Sequence, residues 1–251
     1  MNAEMVQDGF QFVEGPVWVP ARQELLFSDI PASKIYRYKA GKVDVFRQPS
    51  HQANGNTLDP RGRLVTCEHE TRRVTRTELD GTIVPVASHF EGKRLNSPND
   101  VVCKSDGTIY FTDPPYAVKP EDRDLDFQGV YRIAENQIEL VARDFSKPNG
   151  LCFSPDESIL YIADTERGHV RVGDRVFCQV ERPDGMRVDA AGNLYIAALK
   201  AVEIFSPTGQ KIGAITLPER PANLAFGDAD RKTLYICART SLYRVRVPSS
   251  M

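Results

Sequence analysis

Ser146-Lys147-Pro148-Asn149-Gly150-Leu151-Cys152-Phe153 is a stretch that the chain writes several times over. It returns as Arg182-Pro183-Asp184-Gly185-Met186-Arg187-Val188 and, earlier, as Ser97-Pro98-Asn99-Asp100-Val101-Val102-Cys103. Looser copies are Val13-Glu14-Gly15-Pro16-Val17-Trp18, Ala53-Asn54-Gly55-Asn56-Thr57-Leu58 and Pro221-Ala222-Asn223-Leu224-Ala225-Phe226. After most copies comes a turn such as Ser154-Pro155-Asp156-Glu157 or Asp59-Pro60-Arg61-Gly62, and then an apolar run. Those runs include Ile109-Tyr110-Phe111-Thr112-Asp113, Leu160-Tyr161-Ile162-Ala163-Asp164, Leu194-Tyr195-Ile196-Ala197-Ala198 and Leu234-Tyr235-Ile236-Cys237-Ala238. Six copies of one unit at a period of roughly 35 to 50 residues mark a repeat architecture.

Within the units, short apolar runs alternate with Gly, Pro, Asp and Ser, the pattern of strands and turns. Repeat one supplies runs at 15–19, 24–29, 34–38 and 43–46, and repeat two at 56–58, 64–67, 73–77 and 83–86. Repeat three carries an insertion, 114–128, too polar and Pro-rich for a core strand and therefore expected to be a loop over one face. In repeat four, 170–172 and 175–178 are joined by Gly173-Asp174 as a tight hairpin. Repeat five adds 202–205 and 210–216, and repeat six ends at 242–247, one strand short. No substantial stretch has a helical period. The expected fold is all-β: a six-bladed β-propeller forming a single domain over 1–251. Residues 6–13 would supply the missing strand by pairing with 242–247, closing the ring and removing an exposed sheet edge.

At 251 residues with net charge −2, nothing recommends nucleic acid or an anionic membrane as a partner. The N-terminus lacks a basic, apolar leader pattern and no apolar run approaches a membrane span, so a cytoplasmic location is expected. The five cysteines, Cys67, Cys103, Cys152, Cys178 and Cys237, read as reduced core thiols. No serine sits in a G-x-S-x-G context, and Cys67 beside His69 is better explained as a core thiol than as a nucleophile.

Aligning the six openings gives one polar column: Glu14, Asn54, Asn99, Asn149, Asp184, Ala222. In a propeller the opening strands line the central channel, so this column becomes a ring at one mouth. A second column ends the second strand of each unit: Asp29, Glu68, Asp113, Asp164, Ala198, Ala238. That strand runs back, so these residues return to the same mouth, either adding oxygen donors to it or capping the loops that follow. Carboxylates gathered in one mouth repel one another unless a cation lies between them. Two carboxylates and an amide, without sulfur or imidazole, are hard donors that suit calcium, magnesium or manganese better than a structural zinc.

Glu14-Gly15-Pro16-Val17-Trp18, Arg94-Leu95-Asn96-Ser97-Pro98-Asn99-Asp100, Tyr110-Phe111-Thr112-Asp113-Pro114-Pro115-Tyr116, Pro148-Asn149-Gly150-Leu151 and Pro183-Asp184-Gly185-Met186-Arg187-Val188-Asp189 together resemble the regucalcin/gluconolactonase family over nearly the whole chain. The resemblance implies hydrolysis of a small-molecule sugar lactone with one divalent cation in the channel, calcium first among calcium, magnesium, manganese and zinc. By motif position it puts the metal ligands on Glu14, Asn149 and Asp184 and a substrate contact on Asn99. It also implies an arginine on the substrate near the third opening, for which Arg94 is the candidate, while His69 at the mouth is a further candidate contact. Asp184 is the expected general base, since a ligand carboxylate keeps a second oxygen for a proton. The outer hairpins of repeats four and five are shorter than the family's, which bears on substrate choice. The competing readings are a paraoxonase-like calcium-dependent esterase, needing a wide apolar entrance, and a non-catalytic propeller platform.

Overall fold

Short β-branched and aromatic runs stopped by turn residues fold into six four-stranded antiparallel sheets in the computed structural model, which describes residues 3–247. Blade one is Val13–Val19, Glu24–Asp29, Lys34–Lys39 and Lys42–Arg47. Blade two is Ala53–Leu58, Leu64–Glu68, Arg73–Thr77 and Ile83–Ala87. Blade three is Val101–Cys103, Ile109–Asp113, Gly129–Ala134 and Gln137–Ala142. Blade four is Pro148–Phe153, Leu160–Asp164, His169–Val172 and Arg175–Gln179, with Gly173 (φ +55°) in its outer turn as the hairpin requires. Blade five is Met186–Val188, Leu194–Ala197, Ala201–Phe205 and Lys211–Thr216. Blade six is Asn223–Gly227, Thr233–Ala238 and Ser241–Arg246, completed by Glu4–Gln7.

The six first strands touch in a closed circuit, each blade meeting the next and blade six meeting blade one. Each seam between neighbours is a separate apolar cluster. Tyr195, Ile204, Leu224 and Ile236 hold blade five to six, and Val13, Leu25, Phe27, Ala225 and Cys237 hold six to one. Trp18 stacks on Tyr235 across that last seam, centroids 5.8 Å apart. Each fully buried Leu, Ile or Phe contributes about 1.5–3 kcal/mol, so the ring is held by its seams more than by any one sheet. All five cysteines are free, four of them buried.

The closing strand starts and ends earlier than the expected 6–13, sharing only Val6 and Gln7 with it. Glu4–Gln7 pairs antiparallel with Ser241–Arg246, Glu4 opposite Arg244 and Gln7 opposite Leu242. Gly9 (φ +88°) then turns the chain. The backbone N–H of Phe10 goes to Thr240 O, and those of Gln11 and Phe12 to the Asp29 carboxylate. Phe10 packs on Phe27 and Tyr36 in the seam while Phe12 lines the cavity, so the apolar alternation at Phe10-Gln11-Phe12 does not mark a ladder.

The 114–128 insertion is a loop with one 3-10 turn, Pro120–Asp122. Arg72 pins it by donating to Asp122 O, Leu95 O and Asn96 O. A two-stranded hairpin, His89–Phe90 with Lys93–Arg94, stands outside the blades and has no counterpart in the repeat pattern. No helix among the described residues is long and apolar enough to cross a membrane.

Candidate active site

The glycine that follows most column residues is what brings the column together. Gly15, Gly55, Gly150 and Gly185 each lie where a Cβ would collide with the next blade: with Asn54 O at 1.9 Å, Asn99 O at 2.6 Å, Asp184 O at 2.2 Å and the Asn223 side chain at 2.1 Å. Without side chains there, neighbouring opening strands close on one another around the axis. Hydrogen bonds such as Gly55 N–H to Asn99 O (2.8 Å) and Gly185 N–H to Ala222 O (2.8 Å) tie them. The polar residue just before each glycine is thereby delivered to the mouth.

There the structure forms a cavity of about 280 Å³ lined by Glu14, Asn54, Asn99, Asn149 and Asp184, five of the six column positions. His69 joins them. Amides run around the rim in a chain: Asn54 Nδ2 donates to Asn99 Oδ1 (2.8 Å), and Asn99 Nδ2 to Asn149 Oδ1 (2.7 Å). Asn149 Nδ2 in turn faces Thr165 Oγ1 (3.0 Å) and the Tyr116 hydroxyl (3.1 Å), and Thr165 Oγ1 donates to Pro183 O (2.7 Å). The orientations of four polar side chains are thus fixed together.

Glu14 is buried, and its Oε2 takes N–H bonds from Gly15 (2.7 Å) and Asn223 Nδ2 (2.9 Å), leaving Oε1 for the cavity. Burial raises its pKa well above the usual carboxylate range, and repulsion from Asp184 and Asp100 adds to this. Asp184 is also raised, by burial first. Arg220, 3.6 Å from its Oδ2, opposes the rise, while Asp100 reinforces it. Two mutually repelling carboxylates beside an amide, one buried and one part-buried, are the donor chemistry that a hard divalent cation would relieve. Among the described residues no three His, Cys, Asp or Glu side chains gather as a metal cluster, so an ion here would rest on two carboxylates and one amide.

His69 sits with Nε2 3.2 Å from Asn54 Nδ2, and burial pushes its pKa down to about 4 despite an opposing hydrogen bond with Asn99. It is neutral at pH 7. Because its folded pKa lies below the ordinary 6.5, its contribution to stability is complete above pH 6.5 and is lost as pH falls toward 4. His69→Gln should therefore remove up to about 3 kcal/mol of acid destabilisation over that window. Urea midpoints at pH 7 and pH 4.5 would measure it; an unchanged pH dependence in the variant would contradict the assignment.

The second column is at the mouth but does not line the cavity. Asp29 accepts the N–H groups of Gln11 and Phe12, Asp113 that of Asn96, and Asp164 those of Ser146, Lys147 and Arg167. Glu68 pairs with Arg47 (2.6 Å) and Arg73 (2.7 Å). Asp29, Asp113 and Asp164 thus clamp the chain entering their own blade, and only Asp164, through Arg167 N–H, also caps the loop that follows it, so the second column neither adds donors to the cavity nor chiefly caps the following loops. Arg94 is likewise not brought to the cavity. It lies on the exposed outer hairpin, its guanidinium 3.4 Å from Thr71 O. Cys67 faces the seam between blades two and three, where burial pushes its thiol well above the ordinary range, and so it is no nucleophile.

Sequence reasoning missed Asp100 and Asn223. They occupy the glycine position in copies three and six and put side chains into the channel beneath the mouth, where Asn223 Nδ2 bonds both Glu14 and Asp100 Oδ2 (3.3 Å). Their signal was the two exceptions in the glycine column. Thr165, Tyr116, Arg182 and Arg220, which also line the cavity, were missed too.

The profile of the SMP-30/gluconolactonase/LRE-like region matches residues 12–240. A gluconolactonase of Zymomonas mobilis is 32% identical over 288 residues, covering 97% of this chain and 80% of that protein. A pentonolactonase of Haloferax volcanii is 27% identical, covering 89% of this chain and 80% of that protein. Among solved structures, a gluconolactonase of Xanthomonas campestris superposes with a TM-score of 0.90 at 34% identity, covering 98% of this chain and 90% of that one.

Proposed function

The chain belongs to the SMP-30/gluconolactonase/LRE-like family, and we propose that it is a carboxylic-ester hydrolase that opens sugar lactones in the Glu14–Asn149–Asp184 cavity. The observation that carries this reading is the repelling carboxylate pair, buried Glu14 and part-buried Asp184, within a rim of oriented amides. Glu14, Asn149 and Asp184 would hold one divalent cation, calcium first, which supplies carbonyl polarisation and lowers the pKa of a water. Asp184 has a carboxylate oxygen to take that water's proton. Asn99, Asn54 and neutral His69 form a hydrogen-bonding wall suited to sugar hydroxyls and the lactone oxygens. Because their amides already brace one another, orienting a substrate would require little reordering. A cavity whose apolar lining comes from Phe12 and Ile30, among many polar groups, favours sugars over aryl esters. Arg94, outside the cavity, has no part in this proposal.

Exhaustive chelation is expected to abolish hydrolysis of an aldonolactone panel and to lower Tm, since an ion bound only by the folded chain stabilises it by about 2.7 kcal/mol at 100 times its Kd. Restoring single metals one at a time would identify the ion. Undiminished turnover in metal-free protein would remove the reading.

A further inference from the structure

Two residues ahead of the cavity column stand Phe12, Gln52, Ser97, Lys147, Arg182 and Arg220, in blade order. The last three make one arc of the mouth, from blades four, five and six, basic throughout. Lys147 is already neutralised: its Nζ lies 2.6 Å from Glu166 and over the Tyr116 ring. Arg182 and Arg220 instead line the cavity itself. Arg182 makes no ion pair with a carboxylate among the described residues. Arg220 meets Asp184 Oδ2 at 3.6 Å, longer than a charge-assisted hydrogen bond. Asp184 is also the oxygen donor that a cation would engage, which would leave both guanidiniums without a committed anion. Apart from Glu14 and Asp184, both proposed cation ligands, the cavity lining carries no carboxylate; beside the two arginines its polar side chains are Asn54, His69, Asn99, Tyr116, Asn149 and Thr165. The two lining carboxylates would balance a divalent ion, and Asp100 beneath the mouth can offset one further positive charge, so the two arginines would still leave the groups around the loaded cavity with net positive charge.

We propose that Arg182 and Arg220 form a specificity arm that receives an anionic substituent of the substrate, a carboxylate, sulfonate or phosphate ester, so that the preferred substrates are acidic sugar lactones. This rests on the lactone-hydrolase reading and narrows it. Guanidinium forks match the planar or tetrahedral oxygens of such groups bidentately. A neutral lactone would leave them to water.

The test compares kcat/KM for gluconolactone, phosphogluconolactone and a glucaric acid lactone in wild type, Arg182→Gln and Arg220→Gln. Wild type should favour an acidic lactone by about tenfold or more, and each variant should reduce that ratio by about tenfold. Which acidic lactone is preferred separates phosphate from carboxylate. In wild type the preference should shrink as salt rises from ~50 to ~300 mM, because the guanidiniums are part-exposed and screened. That readout needs no variant to fold. Equal losses on neutral and acidic lactones would overturn the proposal, since the arginines would then serve only the carboxylate that every lactone yields. So would a wild-type preference for the neutral lactone. If wild type opened none of the three, the reaction reading would fail by itself. Calorimetry would then decide the arm alone: glucarate should bind more tightly than gluconate, and Arg220→Gln should erase the difference.

Discussion

Asp184→Asn is expected to lower kcat for lactone hydrolysis by about 100-fold or more even with the divalent ion saturating, the usual size of a general-base contribution. The amide keeps one carbonyl donor and the shape, but loses a negative charge and the proton acceptor, so metal affinity should fall as well. Asn99→Ala should do the reverse, leaving metal binding nearly intact while impairing turnover, because its amide braces Asn149 and Asn54 without being a proposed ligand. Calorimetric metal titration set beside hydrolysis at excess metal separates the two. Full recovery of kcat by Asp184→Asn at saturating metal would make Asp184 a ligand only. The base would then be sought at Glu14, the other cavity carboxylate. Asp29, Glu68, Asp113 and Asp164 are poor candidates, being held by backbone N–H groups or arginines.

The blades were legible because a propeller converts sequence register into spatial register. Residues at one offset in successive repeats arrive at one height around one axis. That is why Glu14, Asn54, Asn99, Asn149 and Asp184 could be grouped before any fold was known, and they do line one cavity. The same logic failed for the second column because a carboxylate at a strand end has two destinations. Asp164 could face the channel or reach back to the N–H groups of Ser146 and Lys147, and the residues are identical either way. Burial decides it: unpaired N–H groups on the incoming chain are too costly to leave unmet.

Features outside the repeat had no register to read. Tyr116 comes from the insertion, and its hydroxyl reaches Asn149 only because the loop folds back over the mouth. Arg94 is close in sequence to the third opening, yet it sits on an exposed hairpin outside the blades and does not line the cavity. The closing strand ends at Gln7, six residues short of the expected 13, because Phe10-Gln11-Phe12 has strand alternation without ladder partners. Pattern states which side chains are buried; it does not state where the backbone hydrogen bonds go.

Gly150→Ala is expected to damage both the ring and the site. The new Cβ would lie 2.2 Å from Asp184 O and 2.7 Å from Gly185 Cα, and both neighbours are backbone, so neither can swing aside as a side chain would. The opening strands of blades four and five must separate, and the residues carried past each other at that crossing are Asn149 and Asp184. Overpacking against backbone should cost about 3 kcal/mol or more, and at this chain length Tm should fall by roughly 6–12 °C. Lactone turnover should fall with it, because two of the three proposed ligands move apart. Gly81→Ala is the matched comparison: its φ of +88° strains an alanine, but a Cβ there meets nothing within 4 Å. It should lose only the left-handed backbone penalty of about 1–2 kcal/mol and keep its turnover. Equal Tm losses in the two variants, with hydrolysis retained in both, would show that the close approach of neighbouring blades is not what holds Asn149 and Asp184 together.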